Sequence, residues 1–383
     1  MQFLLRAVAL SVLIAGLHQG LAMAQGAKPD DILNYQGPDR EKRLIERAKQ
    51  EGALTVYTSL APTESQPLTQ AFEKKYGVKV ELWRALSDRV VQRIVNEARA
   101  KHYVADVVET NSPEMENLAR EKMFSEFFTP HAADLPAASI PKHRLWLPDR
   151  FNFFVVAYNT RKVRREELPS SYLGFTDPKW KGRIGIEAND AEWMATLVKK
   201  WGEAQGMAFF RKLAEQKPEM RKGHVLLAQL VAAGDVQVGL TIYAGNAETL
   251  KRKGAPVDWV PMDPVAARAQ GIAIARNAPH PAAALLFVDF VLSEEGQKMY
   301  EAMGRAPAST KVRSHLNNFD YTVMDPSTVL DESEKWNKLW DGLFLKNAIP
   351  GPSPNFLTSV AIHSASFASM PMRPFHFGSV NPR

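Results

Sequence analysis

A single tyrosine, Tyr243, ends the apolar stretch VQVGLTIY, and a charged segment with helical spacing follows it directly. In open α/β sheets, ligands bind at the carboxyl ends of the strands, where the next helices begin. The ring and hydroxyl of Tyr243 are therefore placed to stack on a bound molecule or to hydrogen-bond it. Asn246 follows shortly after and is either a second ligand contact or the N-cap of the next helix.

Two carboxylates and a tryptophan open a second helix-like segment, DAEWMATLVKKWG, which carries Asp190, Glu192 and Trp193. Asp190 suits the N-cap position, and that role alone explains its presence. A carboxylate there also offsets the positive end of the helix, so the segment is unfavourable for a free anion. If these residues face a ligand, Asp190 or Glu192 would neutralise a cationic group. Trp193 would then offer an aromatic face, as Tyr243 does, although its alternative place is the core.

Asp149 and Arg150 precede the long apolar run FNFFVVAYN. The guanidinium of Arg150 could clamp a ligand carboxylate, or the two side chains could pair with each other. The sequence has no H-E-x-x-H, P-loop or G-x-S-x-G motif, and its histidines lack metal-ligand spacing. An exported hydrolase would need a nucleophile or a metal cluster. We therefore predict a binding protein rather than an enzyme, with the hydrolase as the alternative from another class.

Composition and the N-terminus indicate an exported globular protein. The 383 residues are 45% hydrophobic and carry a net charge of +6 that is spread along the chain, which argues against nucleic-acid binding. Residues 1–24 combine Arg6, a short apolar core and an A-x-A sequence ending at Ala24, the pattern of a secretory signal peptide. No later segment is apolar for long enough to span a bilayer, and no cysteine is present. The expected location is the periplasm, without stable membrane insertion.

Helix-like and strand-like segments alternate from Asp39 onward. DREKRLIERAKQEG and ESQPLTQAFEKKYG end in glycine, as helices often do, and the strand-like stretches ALTVYTSL and VKVELW follow them. Ser87 and Ser112 are the expected N-caps of the next two helices. A second set of elements begins with GRIGIEA, after FNFFVVAYN. The alternation predicts an α/β protein with mostly parallel sheets covered by helices, and the length favours two domains.

Seven stretches, taken together and in this order, resemble the periplasmic solute-binding proteins of ABC importers. The resemblance is to the ferric-ion-binding group and its relatives for thiamine, phosphonates and polyamines. The stretches are LTVYTSLAPTESQPLTQAFEKKYGVKVEL, ADVVETNSPEMENLAREKMF, FFVVAYNTRKV, DPKWKGRIGI, LVAAGDVQVGL, GIAIARNAPHPAAALLFVDFVLSEEGQ and GRAPAST. The resemblance implies two α/β lobes hinged by two crossing strands, with the ligand in the cleft between them. FNFFVVAYN would be the first crossing, and the second would lie near DWVPMDPVAA.

The implied lobes are each built from two parts of the chain. Lobe 1 would comprise residues 25–150 and about 263–310, and lobe 2 would comprise residues 151–262 and about 311–346. Residues 347–383 are rich in Pro, Ser, Phe and Met and contain no Asp or Glu. That composition predicts a poorly ordered C-terminal tail.

The resemblance also implies where ferric ligands would lie, and this sequence keeps few of them. Tyr243 matches the first residue of a tyrosine pair, but Ala244 takes the second position. Ala61 stands where a histidine is expected, and Asn111 stands where a carboxylate is expected. Asp190 falls in a stretch that holds a bound anion in the family. Bare ferric iron, a hard cation that requires several anionic oxygens, is therefore disfavoured.

Thr58 and Ser59 end the first strand, where members of the family bind ligand through hydroxyl and backbone N–H groups. A role in the turn is the alternative for both residues. The ligand suggested by the whole set is a small organic molecule with a cationic group, such as thiamine or a polyamine. The alternative is ferric iron, chelated or held with a synergistic anion, with Tyr243 as a metal ligand. No cofactor is expected, and the predicted partners of this monomer are an inner-membrane permease and its ATPase.

Overall fold

The strands of the computed structural model, which describes residues 31–345, form one hydrogen-bonded network. Stretches rich in β-branched and aromatic residues form the strands, because such side chains pack well on a pleated surface. Along the described residues the strands are β1 Ala53–Thr58, β2 Lys79–Arg84, β3 Val107–Asn111, β4 Leu147–Asn159, β5 Ile184–Glu187, β6 Glu219–Arg221, β7 Val238–Tyr243, β8 Val257–Val260, β9 Ala266–Ile274, β10 Ala306–Pro307 and β11 Thr322–Val323.

The helices follow the strands in alternation, as the sequence predicts. In the same range they are α1 Arg40–Glu51, α2 Pro62–Tyr76, α3 Ser87–Arg99, α4 Ser112–Arg120, α5 Ala191–Trp201, α6 Glu203–Glu215, α7 His224–Ala233, α8 Ala244–Arg252, α9 Pro281–Leu292, α10 Glu294–Ala302, α11 Pro326–Asp331 and α12 Ser333–Trp340. Short 3-10 turns cover Pro130–Asp134, Ala137–Ser139, Arg165–Glu167, Tyr172–Thr176 and Pro178–Trp180, and a π-helical turn covers Asp341–Leu345.

The first lobe is built on the sheet β2-β1-β3-β9-β4. Strands β1, β2 and β3 run parallel, whereas β9 is antiparallel to both β3 and β4. The second lobe is built on β4-β7-β5-β6, in which β5 is parallel to β6 and β7. The predicted fold class, with mixed and mostly parallel sheets flanked by helices, is confirmed.

Both of the predicted segments cross between the lobes. Strand β4 pairs with β9 from Leu147 to Phe153 and then with β7 and β8 from Phe154 to Asn159. The second crossing is the segment 261–265, which joins β8 of the second sheet to β9 of the first. The two lobes are therefore linked both by the continuous backbone of β4 and by this short return.

Separate hydrophobic cores fill the two lobes. The first cluster surrounds Phe72 and Phe287, and the second surrounds Trp193 and Phe210. After the last long strand, Leu316 packs in the first cluster, whereas Met324, Trp336 and Trp340 pack in the second cluster. The lobe boundaries given above stay predictions.

Three helix starts differ from the sequence-based expectation. Ser87 and Ser112 are the first residues of α3 and α4 rather than N-caps, because Leu86 and Asn111 hold the extended N-cap conformation. Neither Leu86 nor Asn111 makes a side-chain cap hydrogen bond. Asn246 does not cap a helix either, because α8 already begins at Ala244. Proline at the second position of α4 is compatible with such a start, since its missing N–H would be unpaired there.

The predicted signal peptide, residues 1–24, and the predicted tail, residues 347–383, lie outside the described residues. Between residues 31 and 345, no helix combines the length and the apolar character that crossing a bilayer requires.

Helix α8 of the second lobe makes close contacts with the first-lobe segment that follows α10. A Cβ added at Gly245 would lie 2.9 Å from the carbonyl oxygen of Gly304, so this approach requires glycine. The buried carboxylate of Glu248 accepts hydrogen bonds from Arg252 and Trp259 and lies 3.2 Å from His315 Nε2. Burial alone would raise the pKa of Glu248, but these partners outweigh it and lower the pKa to about 2.

We expect Glu248→Gln to reduce the free energy of unfolding by about 1–3 kcal/mol at pH 7, because the amide loses the charge-assisted bonds. The carboxylate's contribution is present above the unfolded pKa of about 4.5 and is lost as the pH falls toward 2. Urea denaturation at pH 7 and pH 3 should therefore show a difference between wild type and variant that shrinks at the lower pH. Glu46→Gln, at an exposed position of α1, is the control. A constant difference at both pH values would contradict this account.

Candidate functional site

A cavity of about 340 Å³ opens between the lobes, where the carboxyl ends of strands meet the first turns of helices. This is the edge at which open α/β sheets bind ligands. Most of its lining residues are polar or charged, and two apolar side chains, Leu86 and Val225, stand exposed on it from opposite lobes. The lining residues are Ser59, Ala61, Glu64, Arg84, Leu86, Ser87, Asn111, Arg150, Asn152, Gly223, His224, Val225, Tyr243, Asn246, Gln270 and Arg305.

Tyr243 ends β7 and forms part of the second-lobe wall, as the sequence predicts. Its ring stacks on His224, with centroids 3.7 Å apart, and meets Phe154 edge-on at 5.0 Å. The hydroxyl is buried and has no hydrogen-bond partner among the described residues. Burial, followed by the negative charges of Asp190 and Glu187, raises the pKa of Tyr243 well above its usual value of 10. The phenol is therefore neutral, and its O–H donor is unpaired among the described residues.

His224 and two carboxylates lie behind Tyr243. His224 Nδ1 is 3.0 Å from the carbonyl oxygen of Thr241, and His224 Nε2 is 3.4 Å from Asp190 Oδ1. Glu187 accepts a backbone hydrogen bond on each oxygen, from Gly223 and from Asn189. Burial raises the pKa of Asp190 to about 6, against the opposing charge of His224.

Three arginines line the first-lobe side of the cavity. Arg150 Nη2 lies 3.6 Å from Glu64 Oε2, and Arg305 Nε donates to Glu64 Oε1 at 2.5 Å. Arg305 Nη1 also donates to Asn246 Oδ1 of the second lobe at 3.3 Å. The more exposed Arg84 donates from Nε to the carbonyl oxygen of Leu60 at 3.2 Å. Since Glu64 is the one acidic residue among those lining residues, this wall is net positive.

A buried charge network supports Arg150 from below. Glu109 Oε1 is 3.9 Å from Arg150 Nη2, and the other Glu109 oxygen accepts from the hydroxyl of Thr58. Asp149 accepts a hydrogen bond from Tyr300 at 2.6 Å. Burial, and next the charge of Asp149, raises the pKa of Glu109 to about 8, while burial raises that of Asp149. Protonation of Glu109 therefore relieves repulsion between two buried carboxylates.

A family model described as bacterial extracellular solute-binding protein matches residues 68–320. The chain belongs to this family. It is thus the solute-binding component of an ABC importer, which confirms the resemblance drawn from its sequence stretches.

Curated relatives of this solute-binding protein include the major ferric iron-binding protein of Neisseria meningitidis serogroup A. The two are 26% identical over 278 residues, covering 69% of this chain and 83% of the relative. AfuA of Actinobacillus pleuropneumoniae, solved with exogenous fructose-6-phosphate bound, has a TM-score of 0.64 and 23% identity, covering 77% of this chain and 99% of its own. The Trichodesmium protein IdiA (FutA), in complex with iron and citrate, has a TM-score of 0.65 and 22% identity over 76% and 99% of the chains.

Five of the residues singled out from the sequence of this solute-binding protein line the cavity: Ser59, Asn111, Arg150, Tyr243 and Asn246. Ser59 accepts a hydrogen bond from Thr110, and Asn111 donates to Ser87 at 2.7 Å. The structure brings their side chains together, and their contact with ligand stays a prediction.

Four other candidates lie away from the cavity wall. Thr58 is buried. Its hydroxyl donates a hydrogen bond to Glu109 and accepts one from the backbone N–H of Leu60. Glu192 pairs with Arg268, and Asp190 is 1% exposed behind His224. Asp190 occupies the N-cap position of α5 but makes no side-chain cap bond.

Trp193 is fully buried in the second-lobe core. Its ring packs edge-on against Tyr172 at 5.5 Å and against Phe210 at 5.2 Å. Trp193 therefore lies in the core, the alternative given for it in the sequence analysis. The apolar side of α5 turns the indole away from the cleft.

Sequence reasoning missed His224, Arg84, Gln270 and Arg305. His224 and Arg84 stand where a helix begins and where a strand ends, so the strand-end rule could have found both. Gln270 lies inside β9 and Arg305 in a loop, and nothing in their local sequence marks them.

Glu109→Gln is predicted to change the pH dependence of stability. A carboxyl whose folded pKa is raised from 4.5 to about 8 binds a proton on folding between those pH values, so stability falls as the pH rises through this window. Glu109→Gln removes this pH-dependent loss of stability, because the amide stays neutral. Thermal unfolding at pH 5 and pH 9 should show the variant gaining relative to wild type at pH 9. Equal Tm differences at both pH values would disprove the proton uptake, and Glu121→Gln serves as an exposed control.

Proposed function

We propose that this protein is the periplasmic solute-binding component of an importer for a small anionic solute that carries hydroxyl groups, such as a sugar phosphate. The observation that carries the proposal is the placement of Arg84, Arg150 and Arg305 on one cavity wall with Glu64 as their only acidic neighbour in the lining. Arginine presents planar donors that match the geometry of phosphate and carboxylate groups.

The arginines keep donors for a ligand. Each guanidinium has five N–H donors, and the bonds described for Arg84 and Arg305 use only some of them. Arg150 is buried between the carboxylates of Glu64 and Glu109, at 3.6 and 3.9 Å, so it loses little side-chain freedom when it binds. These features support recognition of a multiply charged anionic group.

Neutral polar groups around the arginines suit hydroxyl groups on the same solute. Asn111, Asn152, Asn246 and Gln270 line the cavity together with Ser59. Side-chain amides both donate and accept, which matches the dual character of a hydroxyl. The fructose-6-phosphate bound to AfuA combines the same two chemical features, and we bring that class of ligand to this chain as a proposal.

The prediction that the ligand carries a cationic group loses its support. That expectation depended on Asp190, Glu192 and Trp193 facing the ligand, and none of them is in the cavity lining. Glu192 is already paired with Arg268, and His224 lies between Asp190 and the cavity. We therefore propose an anion, with an inner-membrane permease and its ATPase as partners, and capture rather than turnover as the role of the monomer.

Ferric iron bound with a chelating anion is the second candidate. The observation that favours it is the unpartnered hydroxyl of Tyr243 beside His224, opposite arginines that would hold the carboxylates of a chelator. Relatives that bind ferric iron, and one structure with iron and citrate, support the same possibility.

Isothermal titration with fructose 6-phosphate, citrate and inorganic phosphate tests the anionic solute. Arg84→Gln and Arg305→Gln should each weaken binding by about 10- to 100-fold, because each removes a charge-assisted hydrogen bond. Arg211→Gln, at an exposed position of the second lobe, is the matched control and should bind as wild type does. Binding of thiamine or spermidine, with no response to the three anions, would restore the cationic expectation.

Adding ferric citrate tests the second candidate. A visible phenolate-to-iron charge-transfer band that disappears in Tyr243→Phe would establish iron as the cargo. Binding of citrate alone at the same affinity, without the band, would assign the anion rather than the metal as ligand.

A further inference from the structure

Three side chains with metal-ligating atoms meet behind the ring of Tyr243. They are Glu187 at the end of β5, Asp190 before α5 and His224 at the start of α7, and one ligating atom from each lies within 4.8 Å of the others. None of the three falls where the family resemblance places a ferric ligand. The group arises from two separate strand-to-helix junctions, β5 to α5 and β6 to α7, so spacing along the chain does not show it.

The orientation of His224 leaves one ring nitrogen available. Nδ1 faces the carbonyl oxygen of Thr241 at 3.0 Å, and because that oxygen only accepts, Nδ1 is the donor. This is the arrangement that fixes the tautomer of metal-bound histidines, with the lone pair on Nε2. Nε2 points toward Asp190 Oδ1 at 3.4 Å, but the contact lacks hydrogen-bond geometry. Two ligands about 2.1 Å from a tetrahedral zinc ion are roughly 3.4 Å apart.

Two polar groups here are buried without partners. Both carboxylate oxygens of Asp190 lack a hydrogen bond among the described residues, although the residue is 1% exposed. The hydroxyl of Tyr243, which is 9% exposed, also lacks one. Unpaired buried carboxylates are costly, and a bound cation is one of the few groups that satisfies them.

The surrounding charges are unbalanced. Arg268 is a largely buried cation of this region, and Glu192 already pairs with it. Arg268 also interacts electrostatically with Glu187, Asp190 and Glu114, so four carboxylates surround one guanidinium. Four carboxyl groups therefore share one guanidinium and one imidazole.

We propose that Glu187, Asp190 and His224 bind a divalent transition-metal ion of the zinc class. His224 Nε2 and an oxygen of Asp190 would be ligands, and each Glu187 oxygen keeps a lone pair beyond its one backbone bond. Carboxylate oxygens and imidazole nitrogens both bind zinc, and three protein ligands leave a further position open. This site goes beyond the proposed function and does not depend on it. An ion here would add positive charge to the wall that faces the arginines.

The test uses the full chain after dialysis against a chelator, titrated with zinc chloride alone by calorimetry and with cobalt chloride in the visible range. Wild type should bind one ion, and the cobalt form should show the absorption bands of a low-coordinate site. Asp190→Asn and His224→Gln, which keep side-chain size, should each weaken binding by at least about 100-fold, since each removes a direct ligand. Far-UV circular dichroism checks that both variants fold.

His143→Gln is the matched control, because His143 also pairs with a carboxylate, Glu116, but away from this cluster. It should bind zinc as wild type does. Failure of wild type to bind either metal, or equal binding by Asp190→Asn and His224→Gln, would overturn the site. Neither result bears on the anion titrations, so failure here is distinguishable from failure of the proposed solute.

Discussion

Hydrogen bonding of strand β4 to two different sheets determines where both walls of the cleft stand. Its first half pairs with β9, which sets Arg150 opposite Gln270, and its second half pairs with β7, which sets Phe154 opposite Tyr243. Phe154 lies four positions after Arg150 in extended chain, roughly 13 Å away at the usual rise of a strand. The arginine wall and the tyrosine wall are thus connected by one continuous backbone.

Placing arginines at the cavity costs electrostatic free energy, and nearby buried carboxylates offset that cost. Arg150 is almost fully buried, and an isolated buried guanidinium would be strongly destabilising. Glu64, Glu109 and Asp149 surround it, which places three carboxylates near two arginines, Arg150 and Arg305. The raised pKa of Glu109 keeps that carboxyl protonated near neutral pH, so charges in the network balance. The buried carboxylates therefore compensate the charge of Arg150 before any ligand arrives.

The sequence predicts the fold far better than the site. The helical spacing of apolar residues and the terminal glycines predict α1 and α2, and the long apolar run of β4 predicts the first crossing. These signals are local in the sequence. Tyr243 was found by the strand-end rule, but the roles of Asp190 and Glu192 depend on His224 and Arg268, which reach them from distant elements. Side-chain pairing of that kind is decided by tertiary packing, which a single sequence does not contain.

Leu86 and Val225 remain 65% and 60% exposed on opposite sides of the cleft. A hinge motion that brings the lobes together would remove both from water, whatever the chemistry of the solute inside. Burial of apolar surface lowers the heat capacity of the system. Capture of even a small and very polar solute should thus carry the negative heat-capacity change of a hydrophobic association. Most of that change would come from the protein's own surface rather than from the ligand.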